Sequence, residues 1–481
     1  MAIKIFNTLT GKKENFKPLK KGKVGIYVCG PTVYDEPHIG HLRSAYIFEV
    51  IRRYFIYRGY KVKFVKNVTD VDDKIIEKAK EEIRASDTGF QTIDLKSKVK
   101  EIAERYLEEY HEAMETLGII PPDVEPKATE HIPEMLKLIE GLVKNNFAYV
   151  KGGDVYFRVN KFSSYGKLSH QSTEELISGA RVEPDIKKEN PLDFALWKSA
   201  KENEPSWYSR WGEGRPGWHI ECSAMSMKYL GRNFDIHGGG KDLIFPHHEN
   251  EIAQAEAYTR RKFANYWIHN GLLTINGEKM SKSLGNFISA KEIFRIYHPE
   301  VLKLFFLSTH YSHPIDYSKG KMEEAKRARE RFYILFNKID EKISHFYSPY
   351  TNKRKGLSPT INKFRKKFIS AMDDDFNTPQ ALATLFDLVN FANKNLDKGG
   401  ILIEIKQLFL ELGSIFGLFE KQREAGEKDV LENLLNLIVD IRQTLREKKD
   451  YILSDKIRDE LRKIGIILED SPERTTWRFD T

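Results

Sequence analysis

The stretch that decides the fold is VGIYVCGPTVYDEPHIGHLRSAYIFEVIRRYFIYRGYKVKFV, Val24 to Val65. Its first five residues are a short, largely apolar run leading into Cys29-Gly30-Pro31, the pattern of a buried strand followed by a turn. From Gly40 onward Leu42, Ala45, Ile47, Val50, Ile51, Tyr54 and Phe55 recur at helical spacing, and Gly59 suits the helix end. Lys61 to Val65 then alternates like a second strand. Strand, helix and strand at this length predict a right-handed βαβ unit.

The surrounding chain has 481 residues, 40% hydrophobic and 31% charged, which predicts a soluble protein of three or four domains. No run approaches the roughly 18 apolar residues that span a bilayer. The basic N-terminal segment lacks the apolar stretch of a signal peptide, so a cytoplasmic protein without membrane association is expected. Net charge is +8, from 78 basic and 70 acidic residues, which permits a polyanionic partner without demonstrating one. The two cysteines, Cys29 and Cys222, are open to three readings: a disulfide, inert core residues, or shared ligands of a metal.

Residues 70–145 read as largely helical, interrupted by Pro121, Pro122, Pro126 and Pro133. Residues 151–215 show no clean period and read as an insertion between two halves of a sheet. Phe234 to His237 is a strand running into a Gly238-Gly239-Gly240 loop, and a helix is expected from about Glu249 to Tyr258. Beyond 288 the segments 289–345, 359–395 and 401–420 are amphipathic and mostly helical, with Thr378 as an N-cap and Pro379 at the first helical position. Residues 352–358 suggest a loop and 420–429 a charged linker. The tail reads helix, helix, then two short strands around a turn.

His38-Ile39-Gly40-His41 opens the helix of the βαβ unit. Helix N-termini attract anions through unbonded N–H groups and the macrodipole, and two histidines three apart share one face toward phosphate oxygens. Gly40 would let a ligand approach the backbone closely. Some 240 residues later comes Lys279-Met280-Ser281-Lys282-Ser283, a cationic, Gly-flanked segment suited to phosphates. Either motif alone has an ordinary surface reading. The pair resembles the hallmark of class I aminoacyl-tRNA synthetases, whose doubly wound domain holds ATP between them.

Four residues could share a metal: Cys29, Cys222, and His247 with Glu251, which fall four apart on one helix face. His248 and Glu249 compete, but by helical spacing His248 pairs with Ile252, which cannot ligate. The segments YVCGPTVYDEPHIGH, NVTDVDDKII, RPGWHIECSAM, FDIHGGGKDLIFPHHENEIAQ, KMSKSLGN and MDDDFNTPQAL match, in order, the pattern of cysteinyl-tRNA synthetases. The resemblance covers nearly the whole chain.

It implies a Rossmann-like parallel-sheet α/β catalytic domain (residues 1–120 and 216–288) with a connective insertion at 121–215. A stem-contact region at 289–345, a helical anticodon-binding bundle at 346–424 and a small C-terminal α+β anticodon-recognition module at 425–481 would follow. It implies activation of L-cysteine with ATP and Mg²⁺, then transfer to tRNA(Cys) by a monomer. One Zn²⁺ on Cys29, Cys222, His247 and Glu251 would bind the substrate thiol. It further implies that His38, Gly40, His41, Gly238, Gly239 and Lys282 contact ATP, with His38, His41, Lys279 and Lys282 acting in catalysis. Thr69, Trp218 and His219 would contact cysteine, and Arg474, Trp477 and Arg478 the anticodon. Two rivals are a ligase joining cysteine to an amino sugar, against which the long helical tail argues, and a non-catalytic RNA-binding zinc protein, against which the two intact motifs argue.

Overall fold

The computed structural model describes residues 2–85, 94–172, 174–176, 187–280, 285–346, 357–419, 422–470 and 475–479. Of residues 279, 344–346, 422–434, 470, 478 and 479 it describes the backbone alone. Two compact units, Met1–Leu418 and Phe419–Thr481, divide the chain.

The first unit is built on a four-stranded, all-parallel sheet. The βαβ unit is present as β1 (Lys23–Val28), α1 (Ile39–Tyr57) and β2 (Lys61–Lys66). Further along come α2 (Trp218–Leu230), β3 (Phe234–Gly240), α3 (Glu249–Thr259) and β4 (Ala264–Asn270). The order across the sheet is β4-β3-β1-β2. From β1 the chain moves one way to β2 and later returns on the other side through β3 and β4, so the strand order reverses between β1 and β3. In open α/β sheets ligands bind beyond the carboxyl ends of the strands at such a reversal. The Cys29 N–H bonds the Gly238 carbonyl at 3.1 Å there.

α1 ends at Arg58, and Gly59 follows with φ +84°, a left-handed conformation that glycine adopts without penalty. Most of α1 is buried because it packs on the sheet with one face and on later helices with the other. Its tyrosines reach those helices: Tyr46 Oη donates to Phe416 O at 2.7 Å, Tyr54 Oη to Asp373 Oδ1 at 2.6 Å and Tyr57 Oη to Glu411 Oε1 at 2.8 Å.

Gly238 to Gly240 are not a loop. They are the end of β3, paired with Ile268 to Asn270 of β4. A Cβ on Gly238 would lie 2.3 Å from the Phe48 ring of α1, and one on Gly239 would lie 2.7 Å from His248. Glycine is needed here for close packing on both sides of the sheet.

The aperiodic stretch 151–215 contributes most of a five-stranded antiparallel sheet spanning Ala148–Lys151 to Gly212–Pro216. Its strands are three to six residues long, and Asp154–Phe157 is buried on both faces, which erases the alternation a half-buried strand would show. Phe157, Phe194, Leu196 and Trp197 share one core with Cys222, Ile252 and Trp267.

Beyond β4 a small sheet pairs Leu273–Ile275 antiparallel with Glu278–Lys279 and parallel with Ile315–Tyr317. The rest of the unit is mostly helical: Ala290–Ile296, Pro299–Leu307, Lys319–Phe346, Pro359–Asp373, Thr378–Asn393 and Gly399–Ile415. The cap of Thr378–Asn393 lies one residue earlier than expected, because the Asn377 side chain accepts from the Gln380 N–H and Pro379 falls second in the helix.

In the second unit, Gln422–Glu447 and Tyr451–Lys463 precede the antiparallel strands Ile466–Asp470 and Thr475–Phe479, whose Ile466 and Leu468 share a core with Leu435 and Leu461 of the two helices. The expected linker at 420–429 is thus helical from Gln422. Its Glu, Lys, Arg and Gln are good helix formers, and a single Gly426 does not outweigh them. The loop at 352–358 lies almost wholly outside the described residues.

Candidate active site

The reversal between β1 and β3 gathers Cys29 from just past the end of β1, Cys222 from the second turn of α2, His247 from the turn Ile244–His248 that leads into α3, and Glu251 from the first turn of α3. One donor atom from each of the four lies within 4.8 Å of every other. Cys29 Sγ is 3.6 Å from Cys222 Sγ and 3.4 Å from Glu251 Oε1, and His247 Nε2 is 3.1 Å from the same Oε1. Tetrahedral zinc with sulfur at ~2.3 Å and nitrogen or oxygen at ~2.1 Å separates its donors by roughly 3.3–3.8 Å. These separations fit that ion to within a few tenths of an ångström, and two sulfurs suit a soft metal.

Around the four stands a ring of imidazoles, of which the sequence singled out only some. His237 Nε2 is 2.8 Å from Glu251 Oε2 and its ring stacks on Trp267 at 4.3 Å, leaving Oε1 to face the sulfur. His247 turns Nδ1 to His219 Nδ1 at 2.8 Å. His248 places Nε2 3.3 Å from Cys29 Sγ and Nδ1 2.8 Å from His269. Cys29, His237, His248 and Glu251 therefore form a second, overlapping donor group. Weighing the i,i+4 partner alone missed His248, which stands three residues before Glu251 with its Nε2 3.9 Å from Oε1, so that both histidines reach the one carboxylate.

The electrostatics follow from burial against partners. Burial and the neighbouring Cys222 push the Cys29 thiol well up. Burial opposes ionisation of Cys222 as well, but hydrogen bonds with Cys29 and His247 bring it down to about 6. Burial likewise works against the Glu251 carboxylate, which His237 and His247 nevertheless hold at about 2.

His38 is the N-cap of α1. Its Nδ1 accepts from the Gly40 N–H at 3.1 Å and the His41 N–H at 3.4 Å, while His41 Nδ1 accepts from the His38 N–H at 3.3 Å. The two rings stack at 3.7 Å. With each Nδ1 accepting, a neutral ring carries its proton on Nε2, so both present an N–H donor at the far edge. Burial, His38 and Lys66 keep His41 well below the ordinary histidine range and hence neutral.

The later motif meets this cap. Met280 Cε lies 3.6 Å from where a Cβ on Gly40 would sit, the Ile39 N–H bonds Ile288 O at 3.2 Å, and Phe287 packs edge-on to His38.

Residues 15–327 match the class I (C) tRNA synthetase catalytic domain, and residues 367–420 match the DALR domain. A cysteine–tRNA ligase of Thermococcus gammatolerans is 49% identical over 99% of both chains. One of Sulfurihydrogenibium sp. is 50% identical over 99% of this chain and 100% of its own. The chain belongs to the cysteine–tRNA ligase family. A Mycobacterium tuberculosis methionyl-tRNA synthetase bound by methionyl-adenylate superposes with a TM-score of 0.58 at 14% identity, covering 84% of this chain and 87% of its own, which shows a shared fold.

Other residues singled out in this member of the ligase family fall as follows. Trp218 and His219 begin α2, and the Trp218 ring lies 4.1 Å from His247 with 39% of its surface exposed. Thr69 is buried, and its hydroxyl donates to Glu221 at 2.8 Å while its backbone bonds Pro31 and Val33. The Lys279 backbone closes the Leu273–Lys279 hairpin; Ser281, Lys282 and Ser283 lie outside the described residues. Trp477 packs against the core of the second unit, and its indole N–H donates to Asn436 at 3.0 Å. Arg478 pairs with Ile467 through its backbone, and Arg474 lies outside the described residues.

Proposed function

We propose that this member of the cysteine–tRNA ligase family activates L-cysteine with ATP and passes it to the 3′ end of tRNA(Cys), selecting cysteine through a zinc ion on Cys29, Cys222, His247 and Glu251. The observation that carries the reading is the convergence of two thiols, an imidazole and a carboxylate at the sheet's reversal point, beside a helix N-terminus capped by His38 and His41.

Zinc would supply a soft Lewis acid whose preference for thiolate separates cysteine from serine, which differ by one atom. His237, His219 and His248 orient the donors through their hydrogen bonds to Glu251 and His247 and their approach to Cys29, the usual task of groups around a metal. Trp218 and His219 border the place the substrate side chain would occupy. Thr69, whose backbone holds the Pro31–Val33 turn and whose hydroxyl donates to Glu221, borders the same place.

With the side chain fixed there, the substrate carboxylate is directed toward α1 and attacks the α-phosphorus of ATP, so that cysteinyl-adenylate forms and pyrophosphate leaves with Mg²⁺. The Nε2–H edges of His38 and His41 donate to phosphate oxygens, and Lys279 and Lys282 stabilise the departing pyrophosphate. No enzyme nucleophile is needed; positioning and charge stabilisation suffice. Gly238 and Gly239 border the adenosine through the end of β3. The bundle matching the DALR domain, together with Arg474, Trp477 and Arg478, grips tRNA by arginine contacts and stacking on unpaired bases.

Pyrophosphate exchange tests the reading. Exchange should depend on cysteine and not be supported by serine, and charging of tRNA(Cys) should follow. Exchange without cysteine, or equally rapid with serine, would sink it.

A further inference from the structure

Arg43 has no part in the steps above, yet its guanidinium is almost completely buried in α1, two residues past the His38–His41 cap. Among the described residues its hydrogen bonds all end on backbone carbonyls: Nη1 donates to Gly271 and to Leu272 at 2.8 Å, and Nη2 to His313 at 2.6 Å. Its Nε is buried and makes no hydrogen bond to the described residues. Burial lowers the guanidinium to about 10. A buried cation satisfied only by carbonyl dipoles is a costly way to fill space that an apolar side chain could occupy. What arginine alone provides is a planar fork that can hold two chain segments at once.

Those segments carry the second phosphate motif. Gly271 and Leu272 join β4 to the Leu273–Lys279 hairpin, which leads directly into Met280. His313 precedes Ile315–Tyr317, the parallel neighbour of Leu273–Ile275. A Cβ on Gly271 would lie 2.2 Å from the His313 carbonyl oxygen, so the two segments touch where Arg43 grips them. Ser44 adds a bond from its hydroxyl to Asn270 Oδ1 at 3.0 Å. On the far side Asp316 accepts from the Thr274 hydroxyl at 2.8 Å and the Gly277 N–H at 2.7 Å, making the hairpin a rigid unit.

We propose that Arg43 is a positioning residue for adenylate formation: its fork sets the Leu273–Lys279 hairpin against the first turn of α1, so that the two motifs face one triphosphate. The proposal rests on the phosphate roles given above to His38, His41, Lys279 and Lys282. Arg43 donates to carbonyls of the hairpin's base, not to the metal cluster, so its loss should slow the chemical step and spare cysteine binding.

The test is pyrophosphate exchange by full-length Arg43→Met and Arg43→Lys, with thermal unfolding as the check on folding. A catalytic group displaced by ~1 Å can lose about 100-fold in rate. The methionine variant, lacking both charge and fork, should lose about 100-fold in kcat, and the lysine variant, which keeps the charge, about tenfold. In both, KM for cysteine should stay within about twofold of the parent, a split that general loosening would not give. Parental kcat in either folded variant, or a cysteine KM that rises in step with the loss, overturns the proposal. If the methionine variant does not fold, the lysine variant decides alone; if neither folds, Arg43 is structural and the proposal is wrong. A parent without cysteine-dependent exchange would instead refute the function on which it rests.

Discussion

Replacing Cys222 by serine is expected to lower cysteine-dependent pyrophosphate exchange by about a thousandfold or more and to strip the site of metal. Its Sγ is 3.6 Å from Cys29 and 3.5 Å from Asn67 Oδ1, the residue is 1% exposed, and the overlapping group of Cys29, His237, His248 and Glu251 offers one thiol where the proposed site uses two. Serine is a harder, shorter donor in the same space. Loss of a mere supporting partner around a metal costs 10–100-fold, and loss of a direct donor should exceed that. The smaller atom fits without a clash, so thermal unfolding of the metal-free parent and variant should nearly coincide. Metal content and exchange rate on one preparation check the prediction. Exchange within tenfold of the parent would show that the second thiol is dispensable.

Gly30→Ala should damage both stability and site. A Cβ at Gly30 would lie 1.5 Å from the carbonyl oxygen of Asn67, and its own N–H bonds Asn67 Oδ1 at 2.9 Å. The obstacle is backbone, which cannot rotate away as a side chain would. Either the end of β1 or the turn after β2 must move, and Cys29 is the adjacent residue. Overpacking of this kind costs about 3 kcal/mol, at the upper end of the usual range. The chemical-denaturation midpoint should fall accordingly, with reduced metal affinity. Gly320→Ala is the control: nothing lies within 4 Å of its Cβ, so stability should stay within about 1 kcal/mol of the parent.

The contrast between these glycines shows what a sequence can and cannot disclose. The Val24–Val65 unit was legible because its apolar spacing changes from strand to helix to strand, and each change has a turn residue at the boundary. The four candidate donors were legible because thiols are scarce and His247 and Glu251 are four apart. The rest depended on contacts between distant segments. Three consecutive glycines suggest a loop by propensity, yet at the end of β3 they make room for Phe48 and His248. His237 sits in an ordinary strand, and nothing local reveals that its ring reaches Glu251 fourteen residues later. His248 was passed over because four residues on it meets Ile252, whereas three residues on it meets Glu251, and its approach to Cys29 joins segments 219 residues apart. Arg43 reads as one more charge on an amphipathic helix, since the carbonyls it binds lie 228 to 270 residues away.

The central claim is that Cys29, Cys222, His247 and Glu251 hold a metal that receives the substrate thiol. Its most direct test is the visible absorption spectrum of the cobalt(II)-substituted enzyme titrated with cysteine and, separately, with serine. Two thiols should give a sulfur-to-cobalt charge-transfer band that intensifies as cysteine binds and is unmoved by serine. A spectrum unchanged by saturating cysteine, or changed equally by serine, would contradict the account.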